Sequence, residues 1–172
     1  MNLKQLSTRP LGPVRTSAVI FLLVVAIIGF ADASYLTVEH FRGVIPPCSV
    51  VSGCEKVLTS QYSVVLGVPV SLLGALYYLV IALGSFLYLE SKHSNALQAR
   101  HSEILKWTLI ATVLGFIMSL WFIFLQVFII HSYCMYCMGS AGTSIILFVT
   151  AMAILSKNMS VATDLEASSQ SL

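Results

Sequence analysis

The chain reads WTLIATVLGFIMSLWFIFLQVFII at 107–130, HSY at 131–133 and CMYCMGSAGTSIILFVTAMAIL at 134–155. Neither apolar run contains Asp, Glu, Lys or Arg. At about 1.5 Å per residue each makes a helix of roughly 33–36 Å, long enough to cross the hydrocarbon of a bilayer with modest tilt. With only three residues between them, the two runs fold back as neighbouring spans. Cys134-Met135-Tyr136-Cys137 opens the second one. Thiols three positions apart on one helical turn are close enough to join. A helix N-terminus also presents unpaired N–H groups and a partial positive charge, which favour thiolate over thiol. A Cys-x-x-Cys so placed alternates between dithiol and disulfide, which a purely structural crosslink has no need to do.

The same apolar pattern recurs upstream. Val68 to Leu89 is uncharged, with Pro69 at a plausible first helical position. Val19 to Ala31 is apolar and runs into Ala31-Asp32-Ala33, which admits two readings. One is a secretory signal with an A-x-A cleavage site. The other is an uncleaved span over about residues 18–36. Across 172 residues, 58% are hydrophobic and only 9% charged, where a soluble domain averages about a quarter charged. The expectation is an all-α integral membrane protein, a four-helix transmembrane bundle with spans near 18–36, 68–89, 107–130 and 134–155. No Gly-rich phosphate loop and no basic-aromatic stripe for nucleic acid is present.

Residues 1–17 form a short basic tail, and 156–172 a Ser-, Ala- and acid-containing tail without a packing pattern, expected to be disordered. Seven of the nine Lys and Arg residues (Lys4, Arg9, Arg15, Lys92, Arg100, Lys106, Lys157) fall in the tails and the 90–106 loop. The 37–66 loop holds only Arg42 and Lys56. The positive-inside rule then places both termini in the cytoplasm, and all four cysteines at the outer face of the cell membrane. Disulfides persist there.

Cys48 and Cys54, in a Pro- and Gly-punctuated loop, complete the cysteine set. A zinc site would need short chelating loops and protection from an oxidising exterior. As static crosslinks, Cys48–Cys54 closes a small loop and Cys134–Cys137 a single turn, so neither stabilises a bundle much. Exchange explains both spacings better. Cys48, behind two prolines, is placed to meet a soluble partner, and Cys54 beside flexible Gly53 to swing toward Cys134. Cys137 lies one turn nearer the lipid, where a dissolved quinone is the natural two-electron acceptor. The competing class is a non-enzymatic tetraspan scaffold, with structural disulfides or a zinc ion held by all four cysteines.

Several stretches together resemble the microbial form of the vitamin K epoxide reductase family. They are Ala33-Ser34-Tyr35-Leu36-Thr37, Cys48-x5-Cys54-Glu55-x-Val57-Leu58-x-Ser60, Tyr62-Ser63, Gly67-Val68-Pro69-Val70-Ser71 with Gly74 and Tyr78, Gln126, and Cys134-x-Tyr136-Cys137-x-x-Ser140-Ala141. The resemblance implies four helices around a quinone of ubiquinone or menaquinone type, a half-helix near 57–66, and an uncleaved first span. It implies that Cys48 exchanges with a thioredoxin-like protein, that Cys54 passes electrons to Cys134, and that Cys137 faces the quinone. No thioredoxin-like domain is fused here, so the partner is expected to be a separate protein outside the cytoplasm. The expected outcome is disulfide formation in exported proteins. Met135 stands where many microbial members have proline, and Ala141 where the animal enzymes have tyrosine. The DsbB family performs similar work with its cysteine pairs in the opposite order.

Candidates for supporting the site or binding quinone are Ser60, Ser71, Gln126, His131 and Ser140. Gln126 suits a quinone carbonyl or interhelical glue. His131 suits thiolate stabilisation or proton transfer. Asp32 is expected to face the bundle or water. Gly74, Gly84, Gly115 and Ser119 suit close helix contact. Tyr35, Tyr62, Trp107 and Tyr133 suit the aromatic belt.

Overall fold

In lipid the backbone finds hydrogen-bond partners only within its own helix, so apolar runs of this length become helices. A computed structural model describes residues 14–48, 53–91 and 101–170. Lys4, Arg9, Lys92 and Arg100, four of the charges that orient the chain, lie outside the described residues. The elements are α1 (Thr16–Arg42), a short α2 (Cys54–Leu58), strands β1 (Val64–Val65) and β2 (Val68–Pro69), α3 (Val70–Ser91), α4 (His101–Phe124) and α5 (Met135–Gln170). A π-helical turn, Leu125–Ile130, continues α4. Among the described residues, four segments have membrane-spanning length and hydropathy: Thr16–Arg42, Val70–Ser91, Glu103–Ile130 and Met135–Lys157. The expected four-span bundle is present, and the protein is a multi-pass membrane protein.

The helix ends differ from the hydropathy boundaries because hydropathy marks lipid contact, whereas helices end at backbone stop signals. α1 continues past Leu36 to Gly43, whose φ of +66° provides a left-handed close. The Gly43 and Val44 N–H groups return to His40 and Glu39 carbonyls at 3.1 Å each, a Schellman-type ending. Ala31-Asp32-Ala33 lies within this unbroken helix, as the span reading requires. α4 starts at His101 rather than Trp107, and its first turns carry a Lys106–Glu103 ion pair at 2.9 Å. α5 continues to Gln170, so the tail expected to be disordered is helical over 156–170. That stretch has no Gly or Pro, so nothing in it stops the helix.

The half-helix expected near 57–66 lies earlier, at Cys54–Leu58. The chain after it turns through Ser60 and Ser63 into an antiparallel hairpin pairing Val64 with Pro69 and Val65 with Val68. Leu66 and Gly67 form its two-residue loop with φ of +52° and +81°, the positive pair that a tight hairpin turn demands. Pro69 therefore ends β2, and Val70 is the first helical residue.

Around the bundle, α1 packs on α3 and α5, and α4 packs on α3 and α5. Side chains facing outward are also apolar, among them Ile28, Leu83, Ile117 and Trp121, because lipid rather than water covers them. One buried cluster (Val19, Leu22, Ile81, Leu109, Leu147) fills the half away from the cysteines. A second gathers Cys54, Val57, Leu125, Ile130 and Cys134. Thr37, Thr108 and Thr112 return their hydroxyls to carbonyls of their own helices.

Glycines allow the close crossings. The Tyr78 ring occupies the place a Cβ on Gly29 would take, and Thr108 does the same at Gly84. Gly29→Val is expected to push α1 off α3 and lower stability by about 1–3 kcal/mol. A fall in the unfolding midpoint in detergent checks this, and an unchanged midpoint would refute the packing role.

Candidate redox site

The site forms where the α1–α3 connection meets the tip between α4 and α5. Gly53 makes the meeting possible. A Cβ there would lie 2.5 Å from the Tyr133 carbonyl oxygen and 2.8 Å from its nitrogen, so the two backbones touch only with glycine at this position. Cys54, the first residue of α2, is thereby buried in the same cluster as Cys134. Tyr136 ties the other side of the loop, its hydroxyl donating to the Pro47 carbonyl at 3.2 Å, and its ring lies 5.6 Å from that of Tyr35. Cys48 follows Pro47 and is half-buried against this cluster.

Cys48 and Cys54 are joined in a disulfide with Cα atoms 6.2 Å apart, while Cys134 and Cys137 are free thiols. Cys134 is fully buried and directly precedes α5. The Cys137 backbone N–H donates to Cys134 Sγ at 3.4 Å. A hydrogen bond with the Cys137 thiol, aided by backbone donors and opposed by burial, lowers the Cys134 thiol to about 7. Asp32 lies on α1, which packs against α5. One of its carboxylate oxygens is buried without a hydrogen-bond partner among the described residues.

Below the cysteines a cavity of about 870 Å³ opens among α1, α3, α4 and α5. Cys137, Ser140, Ala141 and Ser144 line it from α5, and Ser71, Gly74, Tyr77 and Tyr78 from α3. Leu114, Met118 and Phe122 close it from α4, and Val57, Ser60 and Tyr62 contribute from above α3. Mostly apolar walls with a few polar groups, at this size, suit a quinone ring.

The candidate residues separate on this geometry. Cys137, Ser60, Ser71, Gln126 and Ser140 all line the cavity, whereas His131 does not. His131 is exposed and closes the π turn in a left-handed conformation, φ +51°. Ser60 donates to the Val57 carbonyl at 2.7 Å, which ends α2. Gln126 is buried, and its Oε1 accepts the Cys134 backbone N–H at 3.0 Å, so its carbonyl is already committed. Tyr78 is absent from the candidates that sequence reasoning supplies. Its hydroxyl donates to the Ser140 carbonyl at 2.6 Å and lies 2.7 Å from Thr143 Oγ1 and 3.0 Å from Ser140 Oγ. A phenol inside a span must find a partner, and Ser140, Thr143 and Ser144 offer a dense set of hydroxyls on a neighbouring span.

Residues 20–152 match the sequence pattern of the Vitamin K epoxide reductase family. The chain belongs to that family. Members of the Vitamin K epoxide reductase family are membrane thiol–quinone oxidoreductases, and this chain is such an enzyme. A comparison with curated protein sequences finds no match.

Gly53→Val is expected to hold the loop away from Tyr133 and slow formation of a Cys54–Cys134 disulfide by at least about tenfold. Trapping that bond by rapid alkylation and reading it on a gel measures the effect. An undiminished rate would show that the backbone contact is dispensable. In Cys137→Ala, Cys134 loses its thiol donor, so the pH midpoint for forming the same bond rises above about 7. Cys137→Ser keeps a donor, and its midpoint stays lower than that of the alanine variant. Rates across about pH 5 to 9 decide the matter, and equal midpoints would remove the hydrogen bond from the account.

Proposed function

We propose that this enzyme reoxidises a separate thioredoxin-like protein outside the cytoplasm and so drives disulfide formation in exported proteins. Electrons pass through the two cysteine pairs to a ubiquinone- or menaquinone-type quinone. The observation that carries the reading is the shared cluster of Cys54 and Cys134 beside a cavity that Cys137 lines. The lysine and arginine distribution supports cytoplasmic termini with the cysteines at the outer face.

A partner thiolate attacks Cys48 Sγ, breaking the Cys48–Cys54 bond and releasing Cys54 as thiolate. The second partner thiol resolves the mixed disulfide, so the partner leaves oxidised and Cys48 and Cys54 are left reduced. Cys54 then attacks Cys134 of a Cys134–Cys137 disulfide, and Cys137 leaves as thiolate. Cys48 displaces Cys134 from Cys54 and restores the Cys48–Cys54 bond. In the structure Cys48 is joined to Cys54 while Cys134 and Cys137 are separate thiols, an arrangement compatible with this point of the cycle. A quinone accepts two electrons and two protons. Cys137, at the cavity wall, gives up the electron pair as Cys134 closes the disulfide, and the two protons that complete the quinol balance the two released when the partner's dithiol is oxidised. Ser140, Ser71 and Ser60 offer hydroxyls along the cavity, and Tyr78 fixes α5 there through Ser140.

Purified protein in lipid nanodiscs, given a dithiol partner and a short-chain quinone, is expected to produce quinol. Cys137→Ala is expected to reduce quinol production to background while a Cys54–Cys134 disulfide still accumulates. Normal quinol production by that variant would overturn the assignment of Cys137.

A further inference from the structure

Cys134 does more than supply a sulfur. Its carbonyl accepts the Met138 N–H at 2.9 Å, and its Sγ accepts the Cys137 N–H at 3.4 Å. The thiol sulfur thus takes the place that a serine or aspartate oxygen takes at the start of a helix. That cap does not last through a redox cycle. Whenever Cys134 is joined to Cys54 or Cys137 its sulfur is uncharged, and a neutral sulfur is only a weak acceptor. The opening turn of α5 would then loosen at the moment when the sulfurs must stay in line.

A second bond is independent of the sulfur. Gln126 Oε1 accepts the Cys134 N–H at 3.0 Å from eight residues upstream, across the tip between α4 and α5. Gln126 is only 3% exposed, so water does not compete for that bond. The π turn carries it there: the Ser132 N–H returns to the Gln126 carbonyl at 3.1 Å, and His131 reverses the chain at positive φ. A π turn at a functional position is a recurrent device. The bond runs to the backbone of the reacting residue itself, which separates it from ordinary interhelical glue.

We propose that Gln126 is a positioning residue, whose side-chain amide holds the Cys134 backbone in line with Cys54 whether the Cys134 sulfur is free or in a disulfide. The inference rests on the relay proposed above. It assigns Gln126 Oε1 to Cys134, while Nε2 donates to the Phe122 carbonyl at 3.5 Å.

The test uses full-length protein carrying Cys48→Ala and Cys137→Ala, equilibrated in a glutathione redox buffer and quenched by alkylation. With Gln126 present, a Cys54–Cys134 disulfide is expected. Gln126→Met, similar in size but without the acceptor, is expected to lower the ratio of bonded to free thiol about tenfold. Gln126→Glu keeps an acceptor oxygen and is expected to stay within about twofold of the parent. An undiminished ratio in Gln126→Met, or equal losses in folded Met and Glu variants, would overturn the proposal. A measurement on the unsubstituted protein decides it without any variant. Hydrogen exchange at the Cys134 amide is expected to be slow in both the reduced and the Cys134–Cys137-oxidised forms, and fast exchange in the oxidised form would overturn the positioning role. If no Cys54–Cys134 bond forms even with Gln126 intact, the relay fails, and amide exchange still judges the cap.

Discussion

The contact between the Gly53 position and the Tyr133 backbone is the constraint on which the site depends. A loop between two spans has many ways to lie on a membrane surface, and most would leave its cysteines far from α5. Backbone touching backbone removes that freedom at one point, next to Cys54 and Cys134 in sequence. The Tyr136–Pro47 hydrogen bond closes the same loop from the Cys48 side. Two ties, one just before Cys48 and one just before Cys54, turn the connection into one wall of the candidate site. Glycine is required at 53 because two peptide groups approach closer than a Cβ allows, not because the turn needs an unusual φ.

The cavity is a consequence of how the bundle fills itself. Away from the cysteines, Leu22, Ile81, Leu109 and Leu147 pack together between the helices. Nearer the cysteines, small residues line α5 at Ser140, Ala141 and Ser144, and the space they leave is the cavity. Tyr78 stops that space from collapsing. Its phenol is anchored to the Ser140 carbonyl and to three hydroxyls on α5, while its ring lies on Gly29 of α1. Three helices are thereby held at a set separation, with Cys137 one turn before Ser140 facing the opening.

Charge and hydrogen bonding are arranged along the same direction as the proposed electron path. The sulfur of Cys134 sits among N–H donors at the start of a helix, where a thiolate is favoured, and Cys137 lies deeper against apolar walls. A thiolate at the polar end is a good nucleophile and leaving group for exchange with Cys54. A thiol at the cavity wall is placed for the proposed quinone acceptor. Gln126 holds the first of these to the wall of the cavity that the second faces.

The number of spans, their places in the chain and the two cysteine pairs were legible in the amino-acid sequence, because lipid forces uncharged runs of this length into helices. The family was legible as well, from motifs at Cys48–Ser60, Gly67–Ser71 and Cys134–Ala141 that the match over residues 20–152 bears out. Helix ends were less so: α1 stops at Gly43 and α5 continues through a polar tail, since backbone signals rather than hydropathy govern termini. The partners of Gln126 and Tyr78, the exposed position of His131 and the hairpin in place of a longer half-helix were decided by the tertiary structure alone. A polar residue in a span announces that it must have a partner. Which partner depends on helix rotation and on a single π turn, and neither leaves a periodic mark in the sequence.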